Sequence, residues 1–334
     1  MKTETPLIDN FGRPLNYLRL AVTDRCNLRC LYCMPAGGIE YIPQSEILTY
    51  EEMERLVRLV VRLGVRKLRI TGGEPFVRRN IMGFLRRVAG IPGLEEIHMT
   101  TNGVLTAPFV PELKRIGICG INLSLDAVDR EAFRRVTRRD EFERVWASFQ
   151  AILAHGIRLK INAVIQQGMN EDQIVPLARL ARDYPVAVRF IEEMPFNGSS
   201  ASHGRQHWDY ARLLAELQRA FPDLKPLPGK PHTTAREFSV PGFQGTLGII
   251  AGYSRLFCDE CNRMRITARG LLKLCLYDTG MLNLKEMLRS GAGDDQLEAA
   301  IRRCAGRRFA NGFQAEAHAR KANPAYESMS EIGG

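Results

Sequence analysis

Short apolar runs alternate with longer amphipathic segments from residue 17 to about residue 220. Such runs are typical of buried strands, and apolar residues at helical spacing are typical of helices packed on a sheet. Six strands are predicted near 18–22, 67–71, 96–99, 121–125, 159–165 and 186–191. Seven helices are predicted near 50–63, 80–89, 108–116, 130–136, 142–155, 171–183 and 208–220. These repeated strand and helix units predict an α/β fold around a parallel sheet.

Two architectures suit six such units, an open doubly wound sheet and an incomplete (βα)6 barrel of the TIM type. Both gather functional residues at the carboxyl ends of the strands. The alternation stops between residues 221 and 245, where Pro- and Gly-rich sequence interrupts regular structure. We therefore predict one domain over 1–230 and a smaller C-terminal extension over 231–334.

Charge and hydropathy limit the binding partners and the cellular location that we expect for the protein. The chain has 47 Lys and Arg against 37 Asp and Glu, a formal net charge of +10, which favours an anionic partner. No apolar run approaches the ~20 residues that cross a bilayer, and the start of the chain lacks an apolar signal-peptide core. We expect a cytoplasmic protein without a membrane partner, in which clustered cysteines bind metal. The isolated Cys119 and Cys304 are interpreted as small buried hydrophobic residues.

Three cysteines follow the first predicted strand in a C-x3-C-x2-C spacing: Cys26, Cys30 and Cys33. One loop can wrap these thiolates around an iron–sulfur core, and three ligands for four irons leave one iron open. An open iron can chelate a molecule while passing it an electron, which reductive cleavage of S-adenosylmethionine requires. Zinc is the alternative, but it normally takes four ligands, and no fourth Cys or His lies nearby in sequence.

A second group of three cysteines lies in the C-terminal segment: Cys258, Cys261 and Cys275. It predicts a second cluster whose open iron could anchor the molecule under attack. Two alternatives stay open, a zinc site completed by Cys304 or His318 and a closed cluster that only relays electrons.

Four predicted strands each carry one cation where buried strands of a parallel sheet are usually apolar. These cations are Arg19, Arg69, Lys160 and Arg189. Singly, each could reach solvent at a strand end, but together they indicate a positively charged interior. Arg263 and Arg265 alternate with Met264 after Cys261 and would share one face of a strand. Two N–H groups of one arginine guanidinium can bind two oxygens of a phosphate group. We therefore expect a multiply charged anion, most naturally a triphosphate.

The first cysteine spacing, with the aromatic Tyr32 before its last cysteine, resembles the signature of radical S-adenosylmethionine enzymes. The turn Gly72-Gly73-Glu74-Pro75 is similar to the one that meets the amino group of S-adenosylmethionine in those enzymes. With both cysteine groups, nearly the whole chain resembles the GTP 3′,8-cyclase family of molybdenum cofactor biosynthesis. Further matches are Asp24-Arg25-Cys26-Asn27, Arg69-Ile70-Thr71, Thr100-Thr101-Asn102-Gly103, Ser124-Leu125-Asp126 and residues 189–195.

The resemblance implies the incomplete barrel with a C-terminal iron–sulfur extension, two 4Fe-4S clusters and roles for individual residues. Residues expected around S-adenosylmethionine are Tyr32, Gly73, Glu74, Asn102, Ser124 and Met194. Residues expected around GTP are Arg19, Lys67, Arg69, Thr100, Lys160, Arg189, Arg263 and Arg265. The terminal Gly333 and Gly334 are expected to reach the active site and support catalysis, whereas on sequence alone a frayed end is the simpler interpretation.

The same resemblance implies a radical lyase reaction. Cleavage of S-adenosylmethionine gives a 5′-deoxyadenosyl radical, which takes hydrogen from C3′ of the GTP ribose. The carbon radical attacks C8 of guanine, held at the second cluster, and reduction gives 3′,8-cyclo-7,8-dihydro-GTP. The implied partners are a reductant such as flavodoxin or ferredoxin, a downstream cyclic pyranopterin monophosphate synthase, and a second copy of the chain in a homodimer.

Two other functions stay open at this point. Peptide-modifying radical enzymes also carry extra C-terminal clusters, although usually with more cysteines than one trio. A zinc-stabilised nucleic-acid-binding protein would use the positive charge and the C-x2-C pair. That interpretation leaves the Gly-Gly-Glu-Pro turn and the first trio unexplained, so we expect no nucleic-acid partner.

Overall fold

Six parallel strands in chain order form the centre of the fold, in a computed structural model that describes residues 6–35, 37–194, 196, 208–322 and 328–333. The strands are β1 (Tyr17–Ala21), β2 (Lys67–Thr71), β3 (Glu96–Thr101), β4 (Gly120–Ser124), β5 (Arg158–Ile165) and β6 (Ala187–Glu192). The helices in and directly after this region are α1 (Tyr50–Arg62), α2 (Ile81–Ala89), α3 (Val110–Arg115), α4 (Arg130–Thr137), α5 (Phe142–Ala154), α6 (Ile174–Asp183) and α7 (Tyr210–Ala220). All six predicted strands and seven predicted helices are confirmed, with ends shifted by up to three residues.

The strand order decides between the two predicted architectures. A doubly wound sheet reverses its strand order at a switch point, whereas a barrel adds each strand beside the one before it. Here β1 to β6 are neighbours in chain order, and every pair is parallel. The order is that of the incomplete (βα)6 barrel.

The C-terminal extension lengthens this sheet at both edges. Beside β6 lie β9 (Thr246–Ile250), β8 (Ala235–Ser239) and β7 (Lys225–Pro226), and beside β1 lie β10 (Arg263–Ile266), β11 (Leu271–Lys273) and β12 (Leu282–Asn283). The remaining helices are α8 (Leu284–Arg289), α9 (Asp294–Ala305), α10 (Gly312–Ala322) and α11 (Met329–Ile332). The predicted division at residue 230 stays a prediction, since both segments contribute to one 12-stranded sheet.

Helix α1 illustrates how local sequence builds the outer layer. Thr49 and Glu52 form a capping box, in which each side chain accepts a hydrogen bond from the other residue's backbone N–H. The helix ends before Gly64, whose φ of 97° favours glycine. Its fully buried side chains are Met53, Leu56, Val57, Leu59 and Val60. Burying one such side chain stabilises the fold by roughly 1.5–3 kcal/mol, so this stripe fixes the helix on the sheet.

Within the described ranges, no helix is long and apolar enough to span a bilayer.

Candidate active site

Alternation along the strands points one set of side chains into the barrel. In β1, Leu18 and Leu20 are fully buried in the main hydrophobic core, so Arg19 between them points to the opposite, inner face. The register places Arg19 beside Arg69 of β2 and Arg265 of β10. Cations far apart in the sequence therefore meet on one inner surface.

A cavity of about 250 Å³, here called the cation cavity, lies against this surface. Seven of the eight predicted substrate residues line it: Arg19, Lys67, Arg69, Lys160, Arg189, Arg263 and Arg265. The second cysteine trio lines it as well, so the predicted cation site and the predicted second cluster site are one place. Thr100, the eighth predicted residue, lines a neighbouring cavity instead, because it lies two residues further along β3 than His98, the register partner of Arg69.

Several cations in this cavity have no ion-pair partner among the described residues, although Lys67 forms an ion pair of 2.7 Å with Glu96. Burial and the nearby charge of Arg189 lower the pKa of Lys160 to about 8. Burial and the charge of Arg69 lower the pKa of Arg189 to about 10. Within the described part of the chain, Nε of Arg19 and both Nε and Nη2 of Arg189 are buried without a hydrogen-bond partner. Such donors are costly unless an anion meets them, so the residues fit a bound polyphosphate.

Tyr17 is a cavity residue that the sequence analysis missed. Its hydroxyl oxygen accepts a hydrogen bond of 2.6 Å from Nε of Arg69. Burial by itself would raise the pKa of Tyr17, but the charges of Arg69 and Arg19 lower it to about 7. Its position two residues before Arg19 is the only sequence signal that it shares the inner face.

The second cysteine trio receives several hydrogen bonds on its sulfur atoms. Arg308 donates to Sγ of Cys261 at 3.1 Å and Arg263 donates to it at 3.6 Å, and the backbone N–H of Gly312 donates to Sγ of Cys258 at 3.4 Å. Burial would raise the pKa of the Cys261 thiol, but Arg263 and Arg308 lower it to about 7. Donors aimed at sulfur are the usual environment of metal-bound thiolates, so this set fits an iron–sulfur cluster.

A second cavity of about 190 Å³, here called the thiol cavity, lies at the carboxyl ends of the strands. The first cysteine trio, Cys26, Cys30 and Cys33, lines it. Five residues predicted to contact S-adenosylmethionine also line it: Tyr32, Gly73, Asn102, Ser124 and Met194. The cysteines and the residues expected around S-adenosylmethionine thus face one space.

Glu74 differs from the other predicted contacts, because its side chain is fully buried beside the thiol cavity and does not line it. Its carboxylate accepts hydrogen bonds from the backbone N–H of Asn102 at 2.7 Å and from the hydroxyl of Thr101 at 2.9 Å. Burial raises the pKa of Glu74 to about 7. Asn102 in turn donates to Sγ of Cys26 at 3.5 Å. Glu74 therefore acts on the cavity through Asn102.

The glycine turn must pack tightly against the first cysteine loop. A Cβ atom on Gly73 would lie 2.3 Å from the carbonyl oxygen of Arg25, a distance that no side chain tolerates. The backbone N–H of Gly73 donates to the carbonyl of Thr23 at 2.8 Å. The turn thereby fixes the start of the loop that carries Cys26.

The thiols of the first trio have a different environment from Cys261, whereas Cys258 and Cys275 resemble them, because burial raises the pKa values of those two thiols as well. Burial raises the pKa of Cys26 to about 11 and that of Cys33 to about 12. Burial and the nearby carboxylate of Asp126 raise the pKa of Cys30. Asp126, which the sequence analysis did not assign to the site, accepts a hydrogen bond of 2.9 Å from the Tyr32 hydroxyl. Three sulfur donors facing one space fit a cluster with one open iron.

The end of the chain lies between the two cavities. Gly333 accepts a hydrogen bond of 2.9 Å on its carbonyl from Arg265, and the Ser328 hydroxyl donates to the carbonyl of Cys33 at 3.1 Å. Met329 lines both cavities. Gly333 is thus held at the site rather than frayed, and Gly334 lies outside the described residues. No sequence pattern predicted a role for Ser328 or Met329.

The two cavities adjoin each other. Both are lined by Asn162, Ile191, Met194 and Met329. A molecule bound beside the first trio and one bound beside the second would therefore lie next to each other at these shared side chains.

Two protein-family models match the chain. The model of the Radical SAM superfamily matches residues 20–181, and the model of Molybdenum Cofactor Synthesis C matches residues 186–313. Among solved structures, Streptococcus suis SuiB bound to S-adenosylmethionine aligns with 90% of this chain and 68% of its own, with a TM-score of 0.58 and 16% identity. Identity this low shows the fold alone.

Curated relatives share much more of the sequence. The GTP 3′,8-cyclase of Moorella thermoacetica is 40% identical over 98% of this chain and 99% of its own length. Molybdenum cofactor biosynthesis protein 1 is 41% identical over 89% of this chain in Drosophila melanogaster and 38% over 90% in Homo sapiens. The chain covers 53% and 48% of those two animal proteins, about half their length, but nearly all of the bacterial one. By this similarity the chain belongs to the GTP 3′,8-cyclase family of the radical S-adenosylmethionine superfamily.

Proposed function

We propose that the chain cyclises GTP to (8S)-3′,8-cyclo-7,8-dihydroguanosine 5′-triphosphate, a lyase reaction that is the first step of molybdopterin synthesis. Family membership supports the reaction. The observation that carries it in this molecule is the pair of adjoining cavities, each lined by three cysteines. This arrangement would bring a radical source and a polyphosphate site next to each other.

The cofactors are S-adenosylmethionine and two 4Fe-4S clusters, which Cys26, Cys30 and Cys33 and then Cys258, Cys261 and Cys275 would hold. When bound, the first cluster supplies the electron that cleaves S-adenosylmethionine. The residues of the chain around the first cluster would hold S-adenosylmethionine in position. Tyr32, Gly73, Ser124 and Met194 would surround S-adenosylmethionine, while Glu74 orients Asn102 beside Cys26.

At the other end, the chain's task is to hold a highly charged substrate. We assign the triphosphate to Arg19, Lys67, Arg69, Lys160, Arg189, Arg263 and Arg265. Thr100 lines the thiol cavity, and its hydroxyl accepts a hydrogen bond of 3.5 Å from Arg69, so we place it beside the triphosphate. The mutual repulsion of these cations and their partly unsatisfied N–H groups favour binding of an anion. Tyr17 accepts a bond from Arg69 and so holds that guanidinium in place for the substrate.

The finer assignments are also proposals. A flavodoxin or ferredoxin would supply the electrons, and cyclic pyranopterin monophosphate synthase would consume the product. The reaction needs reduced clusters, which supports a cytoplasmic location. A homodimer follows from the family resemblance alone, and the division into segments 1–230 and 231–334 follows from the Pro- and Gly-rich stretch between residues 221 and 245.

The experiment is to incubate anaerobically reconstituted, reduced protein with S-adenosylmethionine and GTP and to analyse the products by mass spectrometry. We expect 5′-deoxyadenosine and a cyclised nucleotide in equal amounts. Release of 5′-deoxyadenosine without loss of GTP would refute the substrate and leave the radical chemistry standing. Tetrahedral zinc in place of iron would refute both.

A peptide-modifying radical enzyme is the competing function. Its support is the likeness to SuiB, which extends to the fold only. Seven cations around one cavity match a triphosphate better than an uncharged peptide backbone, so the nucleotide remains our conclusion.

A further inference from the structure

A group of three charged side chains, here called the clamp, lies buried behind the second cysteine trio. It consists of Asp9, Arg13 and Arg308, of which the first two precede β1 and the third follows α9. The Asp9 side chain has no exposed area, and the side chains of Arg13 and Arg308 are 8% and 3% exposed. Charges are almost never buried to this degree unless paired, and burying three of them has a high desolvation cost. The site is therefore built for a purpose beyond simple packing.

The carboxylate of Asp9 orients both guanidinium groups. Its Oδ2 accepts hydrogen bonds from Nε of Arg13 at 2.7 Å and from Nη1 of Arg308 at 3.0 Å. Its Oδ1 accepts from the backbone N–H groups of Phe11 and Arg13 at 2.9 Å, so the carboxylate cannot rotate. The remaining guanidinium N–H groups are thereby aimed at fixed targets.

Those targets lie on all three parts of the chain that carry the second trio. Arg13 donates to the carbonyl of Cys258 at 2.9 Å. Arg308 donates to the carbonyl of Cys261 at 2.6 Å and to the carbonyl of Leu274, the residue before Cys275, at 2.9 Å. One buried ion group therefore fixes the backbone at each of the three cysteines.

Arg308 also touches a sulfur atom. Its Nη2 donates to Sγ of Cys261 at 3.1 Å. A hydrogen bond and a positive charge at a ligand sulfur stabilise the extra negative charge that a cluster gains on reduction. The same arginine can thus set both the shape and the electron affinity of the second cluster.

We propose that Asp9, Arg13 and Arg308 are positioning residues that preform the second cluster site, and that Arg308 raises the reduction potential of that cluster through Cys261. The proposal rests on the proposed function, because it takes the second trio to hold an iron–sulfur cluster. Analysis of the unsubstituted protein comes first. A single cluster, or zinc, in that protein would refute the proposed function before any variant is compared.

The test uses the reconstituted holoenzyme and the variants Arg308→Gln, Arg308→Lys and Asp9→Asn. Arg289→Gln is the matched control. Arg289 also ties the extension to the N-terminal half, through the carbonyl of Ile47 and the carboxylate of Glu52, and within the described residues none of its hydrogen bonds goes to a cysteine. For each protein we would measure iron per chain and the midpoint potentials of both clusters by redox titration followed by electron paramagnetic resonance. The first cluster serves as an internal reference.

For Arg308→Gln we expect the reduced-to-oxidised ratio of the second cluster at a fixed applied potential to fall roughly tenfold, about 59 mV for a one-electron couple. Arg308→Lys keeps the positive charge, so the potential of its second cluster should lie between those of Arg308→Gln and the unsubstituted protein. Lysine has only one donor atom for several targets, so this variant should still lose iron from the second site. Asp9→Asn should lose iron from the second site only.

Two outcomes would overturn the proposal. If the second potential in Arg308→Gln matches that in Arg289→Gln, Arg308 does not tune the cluster. If Asp9→Asn and Arg308→Lys retain as much iron as Arg289→Gln, the clamp does not form the site. Should Arg308→Gln fail to fold, these two milder variants decide the question, since the first cluster reports whether the barrel is intact.

Discussion

Cys30 of the first cysteine trio lies near a carboxylate, whereas Cys261 of the second trio lies near two arginines. Burial raises the pKa of Cys258 and Cys275, the other two thiols of the second trio, as it does in the first trio. Burial and Asp126 raise the pKa of Cys30, while Arg263 and Arg308 bring that of Cys261 down to about 7. Each trio offers three cysteine ligands, so any difference in function between the two clusters must come from the residues around them. Negative neighbours disfavour an added electron and suit a strongly reducing cluster, whereas positive neighbours raise the potential and attract an anion.

Removing one cysteine from each trio gives the largest expected effects and the most direct contrast. Cys30→Ala should lose half of the iron and all detectable 5′-deoxyadenosine while still binding GTP through the cations. Cys275→Ala should also lose half of the iron, keep the first cluster and form no cyclised nucleotide. Iron analysis and product assays check both, with Cys119→Ala as the control. Normal cyclisation by Cys275→Ala would break the comparison.

Arg189→Gln tests the cation cavity through two effects of opposite sign. Loss of a charged hydrogen-bond donor should weaken GTP binding by about 1.5–3 kcal/mol, roughly 10- to 150-fold. Removal of a buried cation with two unsatisfied nitrogen atoms should raise the free energy of unfolding of the substrate-free protein. Calorimetry with GTP and urea denaturation measure the two.

The exposed Arg134 on α4 supplies the control, because Arg134→Gln removes the same charge outside the cavity. A loss of stability in Arg189→Gln without any loss of GTP affinity would show that Arg189 is structural.

The effect of pH on GTP binding should be smaller than that of Arg189→Gln, and it should come from residues of the cation cavity. In the folded protein Tyr17 has a pKa of about 7 and Lys160 one of about 8, so raising the pH from 6 to 9 adds most of a negative charge and removes most of a positive one. GTP affinity should fall over this range. Tyr17→Phe should remove the lower part of the fall and Lys160→Arg the upper part, as measured by calorimetry at each pH. An unchanged profile in both variants would contradict the assignment.

The same two groups predict the sign of a stability change. The ordinary pKa values are 10.0 for Tyr17 and 10.5 for Lys160, both above the folded values. Above the folded pKa values and below these ordinary ones, the unfolded chain holds protons that the folded protein has released. The free energy of unfolding therefore increases as the pH rises from the folded pKa values toward 10. The stabilisation that Tyr17 and Lys160 contribute at high pH is lost as the pH falls through their folded pKa values.

The smallest expected effect concerns the end of the chain. Gly333 has a φ of 82°, and a Cβ atom there would lie 2.7 Å from Cγ2 of Thr71. Gly333→Ala should displace the tail and lower turnover several-fold at unchanged iron content. Gly291→Ala is the control, because Gly291 has a φ of 86° and open space around it. Equal turnover in the two variants would show that the tail does not support the site.

Sequence patterns predicted the alternating strands and helices and the cation cavity for a physical reason, whereas the choice of a barrel over an open sheet came from the family resemblance. A cation such as Arg19 between two core leucines violates strand patterning, and alternation then determines which way it points. The mutual arrangement of Tyr17 and Arg69 depends on the register between strands, which single-chain patterns do not contain. The clamp joins Asp9 to Arg308 across the whole chain, and neither residue interrupts a local pattern.

The edge strands and two side-chain positions escaped prediction for related reasons. The strands β7, β11 and β12 are only two or three residues long, and β7 to β12 pair at opposite edges of a sheet whose order is set by tertiary structure. Glu74 belongs to a recognised turn, yet hydrogen bonding draws its carboxylate under Asn102 and away from the cavity. Thr100 was assigned to GTP by resemblance, but its place along β3 puts it in the thiol cavity.

The central claim is that ligands of the two dissimilar trios meet in one chamber, and isotope transfer tests it most directly. Protein incubated with S-adenosylmethionine and GTP carrying deuterium at C3′ should release 5′-deoxyadenosine that contains one deuterium atom. Mass spectrometry of the nucleoside reads this out. Unlabelled 5′-deoxyadenosine, formed at the same rate with and without the nucleotide, would show that the two sites do not act on each other.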